Sequence, residues 1–166
     1  SESANAAMNV SFLASTSQVL WRILQSEGID ADEVFDKSGL DRQLWTDPDG
    51  RFPDQGLDHA WATAVKLSGN PCLGLKAADH LNPASLHAFG FAWLASDTLL
   101  DALGRLVRYS RLINSIARFR ILEQADTTAL VGVVPDVFPN YVPAGVDLGM
   151  AVFLRMCQIT AGEKLM

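Results

Sequence analysis

The sequence predicts an α+β domain, predominantly helical, with a small antiparallel sheet packed on the helices. Three observations carry that expectation. Apolar residues recur at helical spacing through most of the first 115 residues, a period-2 segment interrupts them, and helical spacing then returns. No sustained βαβ alternation is present, so a parallel sheet is not expected. The chain has 166 residues, 49% hydrophobic and 19% charged, enough for one domain that buries about two-thirds of its unfolded surface.

The elements follow in order. Residues 1–9 are small and polar, include Met8, and read as a flexible tail or cloning remnant; residues 10–166 read as a single domain. Val19, Leu20, Ile23 and Leu24 mark a helix over 18–27 that Gly28 closes. Asp30 can cap a second short helix with Val34 and Phe35 inward and Gly39 at its end. Asp47-Pro48-Asp49-Gly50 is a turn signal. Asp54 can cap a helix whose face is Leu57, Trp61, Ala64, Val65 and Ser68, closed by Gly69. Asn70-Pro71 starts a further short helix through Leu73, Leu75 and Ala78.

Ala88 to Ala95 fits a buried helix or a buried strand, and its alanines favour the helix. Ser96-Asp97 supplies a cap for the clearest helix, with Leu99, Leu103, Leu106 and Ser110 on its buried face and Leu100 and Val107 broadening it. Asp101 and Arg105 can pair one turn apart. Beyond Asn114, Ile116, Arg118, Arg120 and Leu122 alternate with Ala117, Phe119 and Ile121, and residues 129–134 read as the returning strand. This hairpin, about 116–134, needs further strands or a packing partner, because two strands alone are marginal in water. A proline-broken loop over 136–143 leads to a last helix over 146–159, closed by Gly162.

Composition excludes several functions. The net charge is −6, so this segment lacks the basic surface that duplex DNA requires. The longest strongly apolar run, Ala88–Ala95, is far short of the roughly 20 residues of a membrane span, so no membrane partner is expected. Cys72 and Cys157 stand in no metal or redox pattern and read as two reduced, mostly buried thiols of a cytoplasmic protein. Phosphate-binding glycine loops and nucleophile-elbow motifs are absent. His59, His80 and His87 lack ligand spacing, and adjacent Asp-His pairs on a helix diverge by about 100°. No catalytic residue, metal site or cofactor is expected.

Two clusters remain. Arg105, Arg108, Arg111, Arg118 and Arg120 fall within sixteen residues with no acid between them, leaving −11 for the rest of the chain. They fit a solvated face, a partner for the acidic segment 27–58 within the chain or across a dimer, or an anchor for an anionic group of a ligand. Phe89, Phe91, Trp93 and Tyr109 gather around Ser96, where they fit either an ordinary core or the wall of a small-molecule pocket.

Three segments carry a family resemblance: GFAWLASDTLLDALGRLVRYSRLIN (Gly90–Asn114), GLDRQLWTDPDGRFP (Gly39–Pro53) and LSGNPCLGLKAA (Leu67–Ala78). In this order they resemble the AraC/XylS-type transcriptional regulators that carry an arabinose-binding-like N-terminal domain. The strongest pattern falls on Gly90, Ser96, Thr98, Leu99, Ala102, Leu103, Leu106, Arg108, Tyr109, Arg111 and Leu112. The resemblance implies an effector-sensing domain, a homodimer, and DNA contact only through a C-terminal pair of helix-turn-helix motifs, so the chain reads as a truncated regulatory domain. A small effector, an amino acid or other organic acid, is expected near Phe91, Trp93, Tyr109 and Arg118. The alternative is a protein-interaction or dimerisation module without an effector.

Overall fold

A three-residue strand, β1 (Ser11–Leu13), begins the fold and pairs antiparallel with β2 (Arg51–Pro53), Phe12 facing Phe52 in the register. The computed structural model describes residues 10–115, 117–133 and 142–162. The tail over 1–9, the hairpin ends 116 and 134, and the loop over 136–141 lie outside the described residues.

Between the two strands come α1 (Gln18–Ser26) and α2 (Ala31–Lys37). The spacing in α1 buries Val19, Leu20, Ile23 and Leu24 together, each contributing about 1.5–3 kcal/mol. Gly28 and Gly39 close these helices with φ of +69°, a conformation that favours glycine. Asp30 caps α2 by accepting from the Glu33 amide at 3.0 Å. Trp21, Phe35 and Trp45 interlock edge to face with centroids 5.2–5.9 Å apart, and Arg42 lies over Trp21.

Next come α3 (Asp54–Ser68), a 3-10 turn (Leu73–Lys76) running into α4 (Ala77–His80), α5 (His87–Leu94) and α6 (Leu99–Ile113). The hairpin β3 (Arg118–Glu123) and β4 (Thr128–Val133) then leads to α7 (Pro143–Ala161). Helix α7 packs on the 3-10 turn and α4, and α5 packs on α6. By length and composition α7 could cross a bilayer, unlike the run Ala88–Ala95. Here it contributes Ala144, Ala151, Val152 and Met156 to the core.

The α+β class, mostly helical with two small antiparallel pairs, is the one expected. Local details differ. The cap of α6 is Thr98, whose hydroxyl oxygen accepts from the Asp101 amide at 3.1 Å, one residue beyond Ser96-Asp97. Asp101 accepts from the Thr98 hydroxyl, and no ion pair joins it to Arg105 among the described residues. Pro53 occupies the cap position of α3, which makes Asp54 its first helical residue. Cys72 is exposed, not buried, because it precedes the 3-10 turn; Cys157 is half-buried and its thiol is pushed up by burial.

Candidate functional site

The site begins with an arginine that holds the N-terminal strands against α6. Arg51 donates to the Ser11 hydroxyl and carbonyl at 2.8 and 2.9 Å, and to the Leu112 carbonyl at 2.8 Å. Burial lowers its pKa, yet three acceptors satisfy its charged fork. A bridge between Phe12 and Asn114 fixes the same junction. The C-terminal end of α6 is thereby set beside β1, and the hairpin leaves from there.

Phe119 and Ile121, the inward residues of β3, pack against the core, while Arg120 faces solvent and Arg118, also exposed, reaches a neighbouring cavity. Phe119 pairs with Gly132, where a Cβ would stand 3.1 Å from the Phe119 ring. The ring meets Phe153 of α7 edge to face, 5.2 Å between centroids. This contact fixes one side of a cavity.

The cavity has a volume of about 280 Å³ and lies among α3, the end of α6, the hairpin and α7. Its walls are chiefly apolar: Phe12, Leu57, Trp61, Phe119, Val146 and Phe153. Small ligand sites combine such walls with few polar groups. Most hydroxyls here are already engaged. Thr16 donates to the Leu13 carbonyl, Ser17 to the Ala14 carbonyl and Ser85 to the Asn82 carbonyl. Ser110 is different: it is 3% exposed, lines the cavity, and its hydroxyl has no hydrogen-bond partner among the described residues.

Charge enters from two sides. Asp54 and Asp58 stand one turn apart on α3 and line the cavity, as does Arg118 on β3. Burial raises the Asp54 carboxyl, and burial together with the Asp54 charge pushes Asp58 up to about 6. Neither carboxylate is in an ion pair among the described residues. The sequence pointed to Asp54 as a helix cap and to Asp58 only as part of the acidic segment 27–58; their register on α3 turns both to the cavity.

Of the four expected ligand residues, Arg118 alone lines this cavity. Trp93 is fully buried and donates its indole N–H to the Thr160 hydroxyl at 2.8 Å. It meets Phe89 edge-on in the core, 6.0 Å between centroids. Phe91 is 63% exposed, since successive residues of α5 point in different directions. Tyr109 is 42% exposed and lies in a shallow groove along α6 with Asp97, Leu100 and Arg105. The structure therefore does not bring these three together with Arg118. Nor do the five arginines form ion pairs with the acidic segment among the described residues. No group of three His, Cys, Asp or Glu side chains there is placed to hold a metal.

Comparison with known proteins agrees with the motif order. The family described as the arabinose-binding domain of AraC transcription regulators, N-terminal, matches residues 28–165. The chain belongs to this family of effector-binding regulatory domains. None of the curated proteins matches it. Two glycines in the resembling segments have a steric reason to be there. A Cβ on Gly74 would stand 2.0 Å from the Ala144 carbonyl oxygen, and one on Gly90 would stand 2.1 Å from that of Pro83. Both allow backbones to touch.

Proposed function

We propose that this domain senses a small organic effector in the cavity among α3, α6, the hairpin and α7. Occupancy would control a separate C-terminal DNA-binding domain of a cytoplasmic transcription regulator. The observation that carries the reading is the cavity itself, apolar walls with three charged groups and the Ser110 hydroxyl. Arg118 is the member of the expected ligand set that this reading retains. The walls differ from what a sugar needs, since each sugar hydroxyl requires a partner and most hydroxyls here are spent on backbone carbonyls. An effector with an apolar body fits better.

Binding and control are linked through differential affinity for two arrangements. The hairpin and α7 both wall the cavity and meet through Phe119 and Phe153. An effector that bridges them favours the docked hairpin, and any partner surface that includes the hairpin responds. The role is binding, not catalysis.

Thermal denaturation against a panel of small metabolites tests this. A true effector raises the melting temperature of the wild type and not of Gly149→Leu. Gly149 lines the cavity and a Cβ there meets nothing within 4 Å, so leucine fills the space without displacing the backbone. A shift that survives in Gly149→Leu places the ligand elsewhere and removes the reading.

A second reading, a homodimerisation module, is favoured by the hairpin: β3 and β4 pair only with each other among the described residues. Their outer edges can accept another strand. Sedimentation at rising concentration separates the two, since a strictly monomeric chain excludes it.

A further inference from the structure

We infer that the cavity selects a small organic cation, an ammonium-bearing molecule with an apolar body whose charged end lies between Asp54 and Asp58. The inference rests on the reading of this cavity as the effector site and adds the chemistry of what it takes. Four observations support it.

First, Asp54 and Asp58 are four residues apart on α3, so their carboxylates share one face, and that face opens into the cavity. Second, neither acid has a hydrogen bond from a side chain or an ion pair among the described residues. Two like charges held one turn apart beside apolar walls repel each other and are poorly solvated, and a cation between them relieves both penalties. Third, Ser110, 3% exposed, lines the same cavity, and its hydroxyl makes no hydrogen bond among the described residues. A hydroxyl can both donate and accept, so it suits an ammonium N–H or a ligand oxygen. Fourth, Leu57, Trp61, Phe119 and Phe153 supply apolar and aromatic surface for a hydrocarbon body.

A divalent metal is the poorer match, because no third His, Cys, Asp or Glu joins the pair among the described residues and the apolar walls offer no place for the waters that would complete its shell. A purely anionic ligand meets two carboxylates against one Arg118. A dication would set its second charge against Arg118 or against hydrocarbon. One positive group is the match.

The charged groups that line the cavity are Asp54 and Asp58 from α3 and Arg118 from β3; α6, β4 and α7 bring none there among the described residues. With Asp58 near 6, protonation below that pH removes half of the clamp. Affinity for an ammonium ion should therefore fall as pH drops from 7.5 to 5.

Calorimetric titration with hexylammonium, 1-hexanol and hexanoate, three probes with one hydrocarbon body, tests the inference. Hexylammonium should bind at least tenfold tighter than either of the others at pH 7.5 and lose that advantage at pH 5. Asp54→Asn/Asp58→Asn should erase the preference while still binding hexanol, which shows that the variant folds. If that double variant does not fold, Asp58→Asn alone and the wild-type pH series carry the test. Equal or tighter binding of hexanol or hexanoate, with all binding lost in Gly149→Leu, overturns cation selection and leaves the effector cavity standing. No binding of any probe at millimolar concentration overturns both.

Discussion

Phe119 of the hairpin and Phe153 of α7 meet edge to face at 5.2 Å and an interplanar angle of 82°. The pair joins a two-stranded sheet to the last helix, and both rings wall the cavity. A hairpin of two strands has little stability of its own, so its position depends on such contacts. Phe153→Ala removes the ring and leaves Phe119 facing a void. The expected loss is about 2–4 kcal/mol of folding stability, read by urea denaturation. Amide hydrogen exchange in β3 and β4 should accelerate more than in α1; uniform exchange would mean that the hairpin docks by other contacts.

Gly74 marks the closest approach between the 3-10 turn and α7, with the Ala144 carbonyl oxygen in the space a Cβ would need. Gly74→Ala must push the start of α7 away. The expected cost is about 1–3 kcal/mol or more, as for other overpacked sites. Gly104→Ala is the control: a Cβ there meets nothing within 4 Å, and helix propensity makes the change neutral or stabilising by up to about 1 kcal/mol. Thermal melts of the two variants should move in opposite directions.

Arg51 serves three acceptors at the junction of β1, β2 and α6. Lysine keeps the charge and loses the planar fork. Arg51→Lys should lower stability by about 1–3 kcal/mol, because at least one of the carbonyls of Ser11 and Leu112 loses a charged donor. Denaturation at 0.1 M and 1 M salt should give the same loss, since these are hydrogen bonds to carbonyls and not ion pairs. A loss that disappears at 1 M salt would point to long-range charge instead.

Asp58 makes stability depend on pH in the direction opposite to a salt-bridged carboxylate. Its folded pKa of about 6 lies above the ordinary 3.8, so the folded chain holds a proton that the unfolded chain has released. Stability from this group is fully present below about 4 and is lost as pH rises through 6. Asp58→Asn should therefore be more stable than wild type at pH 7.5, with the difference shrinking toward pH 4. Urea titrations at four pH values check it; a difference that grows as pH falls would reverse the sign and reject the assigned environment.

Much of the scaffold was legible in the sequence because its signals are local. Gly28, Gly39 and Gly69 punctuate helices through their own backbone preference, and Leu103, Leu106 and Ser110 of α6 declare their buried face by spacing. Leu100 and Val107, expected to broaden it, are exposed because they lie at the stripe's edge. The β1–β2 pair was not legible. Three residues are too few for a period, and Pro53 disguises the second strand. The site was harder still. Phe91 and Trp93 are two residues apart, yet one is exposed and the other fully buried, which depends on the direction α5 takes against α6. Asp54 reads as a cap and Asp58 as one acid of the segment 27–58, because nothing local reveals that Arg118 and Phe119, about sixty residues later, line the same cavity. Arg118, singled out for its charge, lies on the cavity wall, because charge is legible without knowledge of the fold.

The most direct measurement is the electron density of crystals soaked with the compound that most raises the melting temperature. Density is expected among α3, the end of α6, the hairpin and α7, with a positively charged group within hydrogen-bond reach of Asp54 and Asp58. Density in the groove along α6 beside Tyr109, with this cavity empty, would contradict it.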